Sequence, residues 1–413
     1  NPDKNEVHHM TSMAGWNFTK FAEGIRALGI SGPPVSGILP GAKHGTDDLM
    51  TNFASVNFLD LQRREDVMQV LLEATKQYGL GSGGSRIVQG VTPPHIDMEE
   101  TVAAYLGKEA AISFATGTVA NIGFINAMAS TQSFMPGLAM VNRDTVFVYD
   151  RDAHWSLWKA AEGLKFGERL FSFRHNDVGS LEEILKEQQG KRVVVVFESV
   201  YSIDGTVAPM HEMVDVCERY GALSYIDDAN GFLVYGPEHR KFAQEYAGML
   251  RATFIMVSMK KAVGLEGGLV AGPRDAIQSF ELLSGTGSFT AGMSAPAAAG
   301  AGYITRLLSE KEPEIVDSYL AKVAGFRKKL LDAELPITDT ETCFSSVMIG
   351  DERKCVEVYG AFLEHGIRVP PYLYPAARRG QAVLRIIVNA AHTEEQIDHL
   401  VEVSMKLRAQ GLF

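Results

Sequence analysis

Cysteine is scarce in this chain of 413 residues, with Cys217, Cys343 and Cys355 the full set. Their spacing suits neither paired metal ligands nor a disulfide framework, so no metal site is expected and a reducing, cytoplasmic setting is the default. No run of about 18 or more apolar residues is present, which argues against a membrane-spanning helix. Positive charge is also short: 39 Lys and Arg against 50 Asp and Glu leave a net charge of −11. With no basic stripe, nucleic acid is excluded as the expected partner. Internal repeats and low-complexity tracts are missing, and nothing near the start has the form of a signal peptide. The chain begins at Asn1 without methionine, as a piece excised from something longer would.

What the chain does have is 46% hydrophobic and 22% charged residues, proportions of a soluble globular enzyme with one large core and a smaller second domain. Phe18, Phe21, Ile25 and Leu28 recur at helical spacing and predict a helix over 11–30; the Gly- and Pro-rich tract over 29–45 reads as an extended arm. A short strand is predicted over 55–59, then helices over 63–78 and 97–106 flanking a glycine-rich loop at 79–90. From there strands over 111–114, 145–149, 193–198, 223–226, 255–257 and 268–271 alternate with helices over 118–129, 157–164 and 210–220. The 193–198 run, apolar until Glu198 closes it, has the pattern of a strand buried on both faces. Such alternation predicts an α/β fold with a mostly parallel sheet covered on both sides. After Pro296, helices over 297–310, 314–331 and 394–409 mark a smaller α+β unit. The economical division is an N-terminal helix and arm over 1–50, a large domain over 51–297 and a small C-terminal domain over 298–413.

Several strand ends carry reactive side chains. Lys261 follows an apolar run that ends in Ser258, and small residues with the Gly267-Gly268 pair come after it. A lysine held there can carry pyridoxal phosphate as a Schiff base, with Ser258 facing the same way toward the phosphate; a solvated Lys260-Lys261 pair is the plainer alternative. Asp227 ends the 223–226 strand, where ligands bind in α/β sheets and where a carboxylate can keep a pyridine nitrogen protonated. Asp227-Asp228-Ala229-Asn230-Gly231 is equally a good turn sequence. The small-residue turn through Gly117, Thr118 and Val119, between a strand and a helix, offers backbone N–H groups to an anion. His154 lies just past a strand and can stack on a flat ring or shuttle a proton, or be structural. Ser202 follows the most apolar strand and can bond a ring hydroxyl, or simply turn the chain. Arg385, in Val383-Leu384-Arg385-Ile386-Ile387, is a charge among apolar neighbours and needs an anion: a substrate carboxylate, or an internal acid.

In this order and spacing the pieces resemble the α-oxoamine synthases, fold-type-I pyridoxal phosphate enzymes that condense an amino acid with an acyl thioester. The likeness spans about residues 50–410. It rests on Tyr78-Gly79-Leu80-Gly81-Ser82-Gly83-Gly84-Ser85-Arg86 with Gly90 and His95, on Arg174-His175-Asn176-Asp177, on Ser202-Ile203-Asp204-Gly205 with Ala208-Pro209, on Ser258 and Lys261, and on Leu384-Arg385-Ile386 with Ala390-Ala391-His392-Thr393. The resemblance implies that Lys261 bears the cofactor and later moves protons, and that Asp227 pairs with the pyridine nitrogen. His154 then stacks on the ring. Ser202 and Asn230 lie near the ring hydroxyl, and Gly117, Thr118, Val119 and Ser258 belong to the cofactor's cradle. Arg385 receives the amino acid carboxylate, and Asn57 lies near the substrate end of the pocket.

Three departures stand out: Asn230 where the family has His, Ala153 where it often has Asn, and the bulky Trp155. The 153–158 and 350–353 stretches are closer to the branch that makes secondary-metabolite or signalling α-aminoketones than to the biotin-pathway enzymes. The resemblance further implies a homodimer with its active site at the interface. Residues 1–50 would cross to the partner or cover the acyl channel, and Ser288 or Thr290 would reach the partner's phosphate. The acyl donor is coenzyme A or a carrier protein, the latter fitting a domain cut from a larger synthase. Another fold-type-I enzyme, such as an aminotransferase or a β-replacement enzyme, stays open, as does a non-catalytic partner subunit.

Overall fold

The computed structural model describes residues 17–28, 41–43, 49–236 and 241–413. In chain order its strands are β1 (Gly41–Lys43), β2 (Leu49–Asn52), β3 (Ala110–Phe114), β4 (Thr131–Met135), β5 (Leu138–Val141), β6 (Val146–Asp150), β7 (Leu170–Phe173), β8 (Val193–Glu198), β9 (Leu223–Asp227), β10 (Phe254–Ser258), β11 (Gly268–Gly272), β12 (Phe344–Gly350), β13 (Ile367–Arg368), β14 (Pro371–Tyr372) and β15 (Ala382–Ile387). Seven of them form a central sheet in the order β3-β11-β10-β9-β8-β6-β7. Pairing is parallel from β10 through β7, and β11 alone runs against its two neighbours. This is the α/β, mostly parallel sheet that the alternation predicts.

The sheet is apolar on both faces because side chains alternate along each strand. In β8, Val193, Val195 and Phe197 pack into one core, while Val194 and Val196 pack into the other with Phe124, Phe147 and Phe254. That arrangement favours acidic residues at strand ends. Ser258, Asp227, Glu198 and Asp150 are the last residues of the adjacent parallel strands β10, β9, β8 and β6. Four polar groups therefore line up along one sheet edge, the carboxyl edge where α/β proteins bind ligands.

A second sheet, β12-β15-β14, is antiparallel throughout and holds Arg385 in its fully buried middle strand. A third joins β2 to β13 in parallel, and Phe53 bridges it to β15 through Phe53 N–H to the Arg368 carbonyl and Ile387 N–H to the Phe53 carbonyl. These links bring the chain around Val56 toward Arg385.

Several boundaries differ from the sequence reading. No strand forms over 55–59. There Asn57 N–H donates to Ser55 Oγ, Asn57 Nδ2 donates to Asp60 Oδ1, and Asp60 has φ 54°, so local turn bonding wins over apolar content. The 79–90 loop contains a wide helical turn, Arg86–Gly90. The helix after His154 is only Trp155–Ala160. The β4–β5 hairpin and the helices Val178–Glu187, Arg274–Leu283 and Glu352–Glu364 were not read at all. The first helix spans Phe18–Leu28, preceded by Asn17; the rest of 11–30, and of the 29–45 arm apart from β1, falls outside the described residues. Met210–Tyr220 and Glu394–Ala409 match the reading to the residue.

Candidate active site

A cavity of about 990 Å³ opens at the carboxyl edge of the central sheet and reaches Arg385 in the second sheet. Gly117, Thr118, His154, Ser202, Asp227, Asn230, Ser258, Lys261 and Arg385 all line it. The structure thus brings together nine residues drawn from positions 117 to 385. Val119 and Asn57 are not in the wall. Thr116 Oγ1 caps the helix start by accepting from the Val119 N–H, and Asn57 is buried next to Val56, which does line the cavity.

The backbone turns sharply after β10, with Met259 N–H bonded to the Gly267 carbonyl and Leu265 N–H to the Met259 carbonyl. This turn points Lys261 inward and leaves Lys260 exposed. Burial, and next the positive charge of Arg385, push the Lys261 ammonium down to about 8. A lysine so placed is a usable nucleophile and base near neutral pH.

Asp227 is buried, which pushes its carboxyl up to about 6. Two donors hold it ionised against that burial: Asn121 Nδ2 at 2.9 Å and the Ala229 N–H at 3.1 Å. Glu198 lies directly beside Asp227 in the β8–β9 register. Its burial, followed by the charges of Asp227 and Asp150, drives its carboxyl well above the usual range in the cavity wall. His154 is open to the cavity, yet desolvation by its surroundings, with Lys261 and Arg385, lowers its ring to about 4. Its imidazole is neutral.

Arg385 answers the question its sequence left open. Nη1 donates to the Ser202 carbonyl at 3.0 Å, Nη2 donates to the Tyr372 hydroxyl, and the guanidinium lies 3.9 Å from the Tyr372 ring centroid and 5.5 Å from that of Phe344. Among the described residues no carboxylate pairs with it, and Nε has no partner. A fully buried charge without an internal anion is costly, and it is tolerated where a ligand supplies the anion.

At the other end of the cavity, the Gly117–Ala129 helix starts beside Ser258. A Cβ on Gly117 would sit 3.4 Å from the Ser258 Cβ, and one on Gly268 would come 2.5 Å from Gly117 N, so backbone approaches backbone with no side chain between. Free N–H groups of a helix start and a hydroxyl make a cradle for a phosphate. With an acid along the same edge, a neutral imidazole and a lysine in the wall, the residues fit pyridoxal phosphate.

Of the two hydroxyls assigned to a partner's phosphate, Ser288 is buried and donates to the Glu281 carbonyl, while Thr290 is exposed and donates to the Thr286 carbonyl. Asn230 uses its Nδ2 on the Val200 carbonyl at 2.9 Å, leaving Oδ1 without a partner. Sequence reasoning missed Asn121, Ser156, Glu198 as an acid of the cavity wall, and Tyr372. Asn121 among the apolar residues Val119, Ala120 and Ile122 was the available signal for the first.

A profile of the family described as "Aminotransferase class I and II" matches residues 49–403. The 8-amino-7-oxononanoate synthase of Symbiobacterium thermophilum is 30% identical over 87% of this chain and 89% of its own. The 5-aminolevulinate synthase 2 of Cereibacter sphaeroides is 30% identical over 87% of this chain and 86% of its own. Among solved structures, the serine palmitoyltransferase of Sphingomonas wittichii shares the fold with a TM-score of 0.84, at 24% identity over 98% of this chain and 99% of that one.

Proposed function

Since this chain belongs to the class I and II aminotransferase family and, within it, to the α-oxoamine synthases, pyridoxal-phosphate-dependent acyltransferases, we propose that it joins an amino acid to an acyl thioester with loss of carbon dioxide. The products are a free thiol and an α-aminoketone. The observation that carries this reading is Arg385, a buried guanidinium with no acid beside it among the described residues, in one cavity with Lys261. Its fork suits the carboxylate of an amino acid.

Bound pyridoxal phosphate supplies an electron sink for the substrate's α-carbon. The N–H groups at Gly117 and Thr118, with Ser258, hold its phosphate, and Asp227 keeps a proton on its ring nitrogen. His154, Ser202 and Asn230 line the same cavity, where His154 would stack on the ring and Ser202 and Asn230 would bond its hydroxyl. Arg385 holds the amino acid by its carboxylate, with Asn57 supporting the substrate end next to Val56. Lys261 Nζ removes the α-proton and returns a proton to the product carbon.

The wider assembly is part of the same reading. Residues 51–297 form the cofactor domain and 298–413 the small domain, and the chain pairs as a homodimer. The enzyme works in the cytoplasm, and its acyl donor is coenzyme A-linked or carried on a protein. No helix among the described residues is long and apolar enough to cross a membrane, and no metal-ligand cluster is found among them.

The test is stoichiometry. Purified protein with pyridoxal phosphate is offered a panel of amino acids together with acyl-coenzyme A or acyl-carrier protein. One amino acid should give thiol and carbon dioxide in equal amounts. Keto acid formed without thiol would replace this reading with an aminotransferase.

Cofactor loading should also depend on pH. Lys261 attacks only as the free amine, so the loading rate should climb with pH through about 8 and level off above it. An ordinary lysine would keep climbing toward about 10.4. Stopped-flow absorbance of the cofactor-free chain mixed with pyridoxal phosphate reads this directly, and a rate still rising beyond pH 9 would contradict the placement of Lys261 in a desolvated wall.

A further inference from the structure

Asn121 lies about one turn into the Gly117–Ala129 helix at 1% exposure. The hydrogen bonds around it can be assigned a direction, because several of the partners can act in only one sense. An ionised carboxylate only accepts, so the Asn121 atom 2.9 Å from Asp227 Oδ2 is the amide nitrogen. Its second hydrogen goes to Ser156 Oγ, also 2.9 Å away. Asn121 Oδ1 is then the acceptor for the Tyr225 hydroxyl at 2.6 Å. With a lone pair of Ser156 Oγ occupied by that amide hydrogen, the serine's own hydrogen is free for His154 Nδ1 at 2.7 Å. The Ser156 backbone N–H, which can only donate, meets the same Nδ1 at 3.2 Å. Nδ1 is therefore an acceptor twice over. A neutral imidazole in that position carries its hydrogen on Nε2, the nitrogen left for the cavity.

We propose that Asn121 and Ser156 are positioning residues that lock His154 as an Nε2–H donor toward the substrate and tie its orientation to that of Asp227. The proposal rests on the cavity being the amino acid site. Its consequence is a division of labour. His154 presents no lone pair to the cavity, so it does not take a proton from the substrate; it donates a hydrogen bond to a substrate oxygen, and proton removal falls to Lys261. Asn121 serves both ends, since the nitrogen that orients Ser156 also steadies the Asp227 carboxylate.

The experiment has two parts on the full chain. Histidine-ring ¹⁵N–¹H correlation spectra, with the His154 signal identified by its loss in His154→Ala, should show a proton on Nε2 and none on Nδ1. Amino acid dissociation constants, read from the absorption change of the cofactor-loaded protein without acyl thioester, should rise about five-fold in Ser156→Ala, the worth of one neutral hydrogen bond. In a His154→Ala background the same Ser156→Ala change should cost less than about two-fold, and Ser156→Thr should restore the native value. Asn121→Ala should repeat the Ser156→Ala loss and weaken pyridoxal phosphate binding about ten-fold as well, through the lost charged bond to Asp227. If Asn121→Ala does not fold, the Ser156 and His154 pair still decides. Additive effects of that pair, or a proton on Nδ1 in the native chain, would overturn the proposal. Failure of the native chain to take up pyridoxal phosphate would instead overturn the reading of the cavity.

Discussion

Lys261→Ala should stop turnover while leaving the fold intact. The loss from proton transfer alone is expected to be roughly a hundred- to ten-thousand-fold, the usual contribution of a placed general acid–base group. Loss of covalent attachment of the cofactor adds to it. Two readouts separate chemistry from damage. Borohydride treatment followed by mass measurement should fix one cofactor to the native chain and none to the variant. Lys260→Ala, a change at an exposed residue that also lines the cavity, should still fix one cofactor after borohydride. Cofactor fixed to Lys261→Ala would mean that another lysine is used. An active Lys261→Ala would remove the acyltransfer mechanism altogether.

How far the sequence alone reaches depends on whether a residue's role is local. Lys261, Asp227 and His154 could be placed because each sits at the end of an apolar run, and a parallel sheet sends those ends to one edge. Ser258 and Gly117 followed from the same logic, and their juxtaposition in the structure agrees with it. Asn121 could not be placed in this way, since its partners Asp227 and Tyr225 lie 106 and 104 residues away and only the strand order brings them to it. Tyr372 was invisible for a similar reason: β14 is two residues long, too short to leave a periodic trace, and its ring matters only because β15 runs beside it. The strand predicted over 55–59 failed because Ser55, Asn57 and Asp60 satisfy their own backbone and one another, a competition that apolar counting does not register. For Arg385 the sequence posed an alternative, internal acid or substrate, and only the three-dimensional neighbourhood distinguishes them.

That neighbourhood makes Arg385 the site of the second large effect, one in which binding and stability should part company. In Arg385→Met the amino acid should lose a bidentate contact to its carboxylate. Hydrogen bonds to charged groups are worth about 1.5–3 kcal/mol, so its apparent KM should rise about ten-fold or more, with kcat changing less. Stability should move the other way. The guanidinium is buried against the Tyr372 and Phe344 rings with no acid among the described residues to offset its desolvation, so an apolar side chain of similar length should leave the fold as stable or firmer by about 1 kcal/mol in urea unfolding. A third change follows from charge. Arg385 is second only to burial in lowering Lys261, so removing it should let the lysine hold its proton to higher pH, and the cofactor-loading curve should shift alkaline. A residue kept for packing would give lower stability and a KM that changes only as folded protein is lost. An unchanged KM together with reduced stability would therefore reassign Arg385 to the scaffold and take away the observation on which amino acid recognition rests. A raised KM on a firmer fold is the pattern of a charge held in place for its substrate.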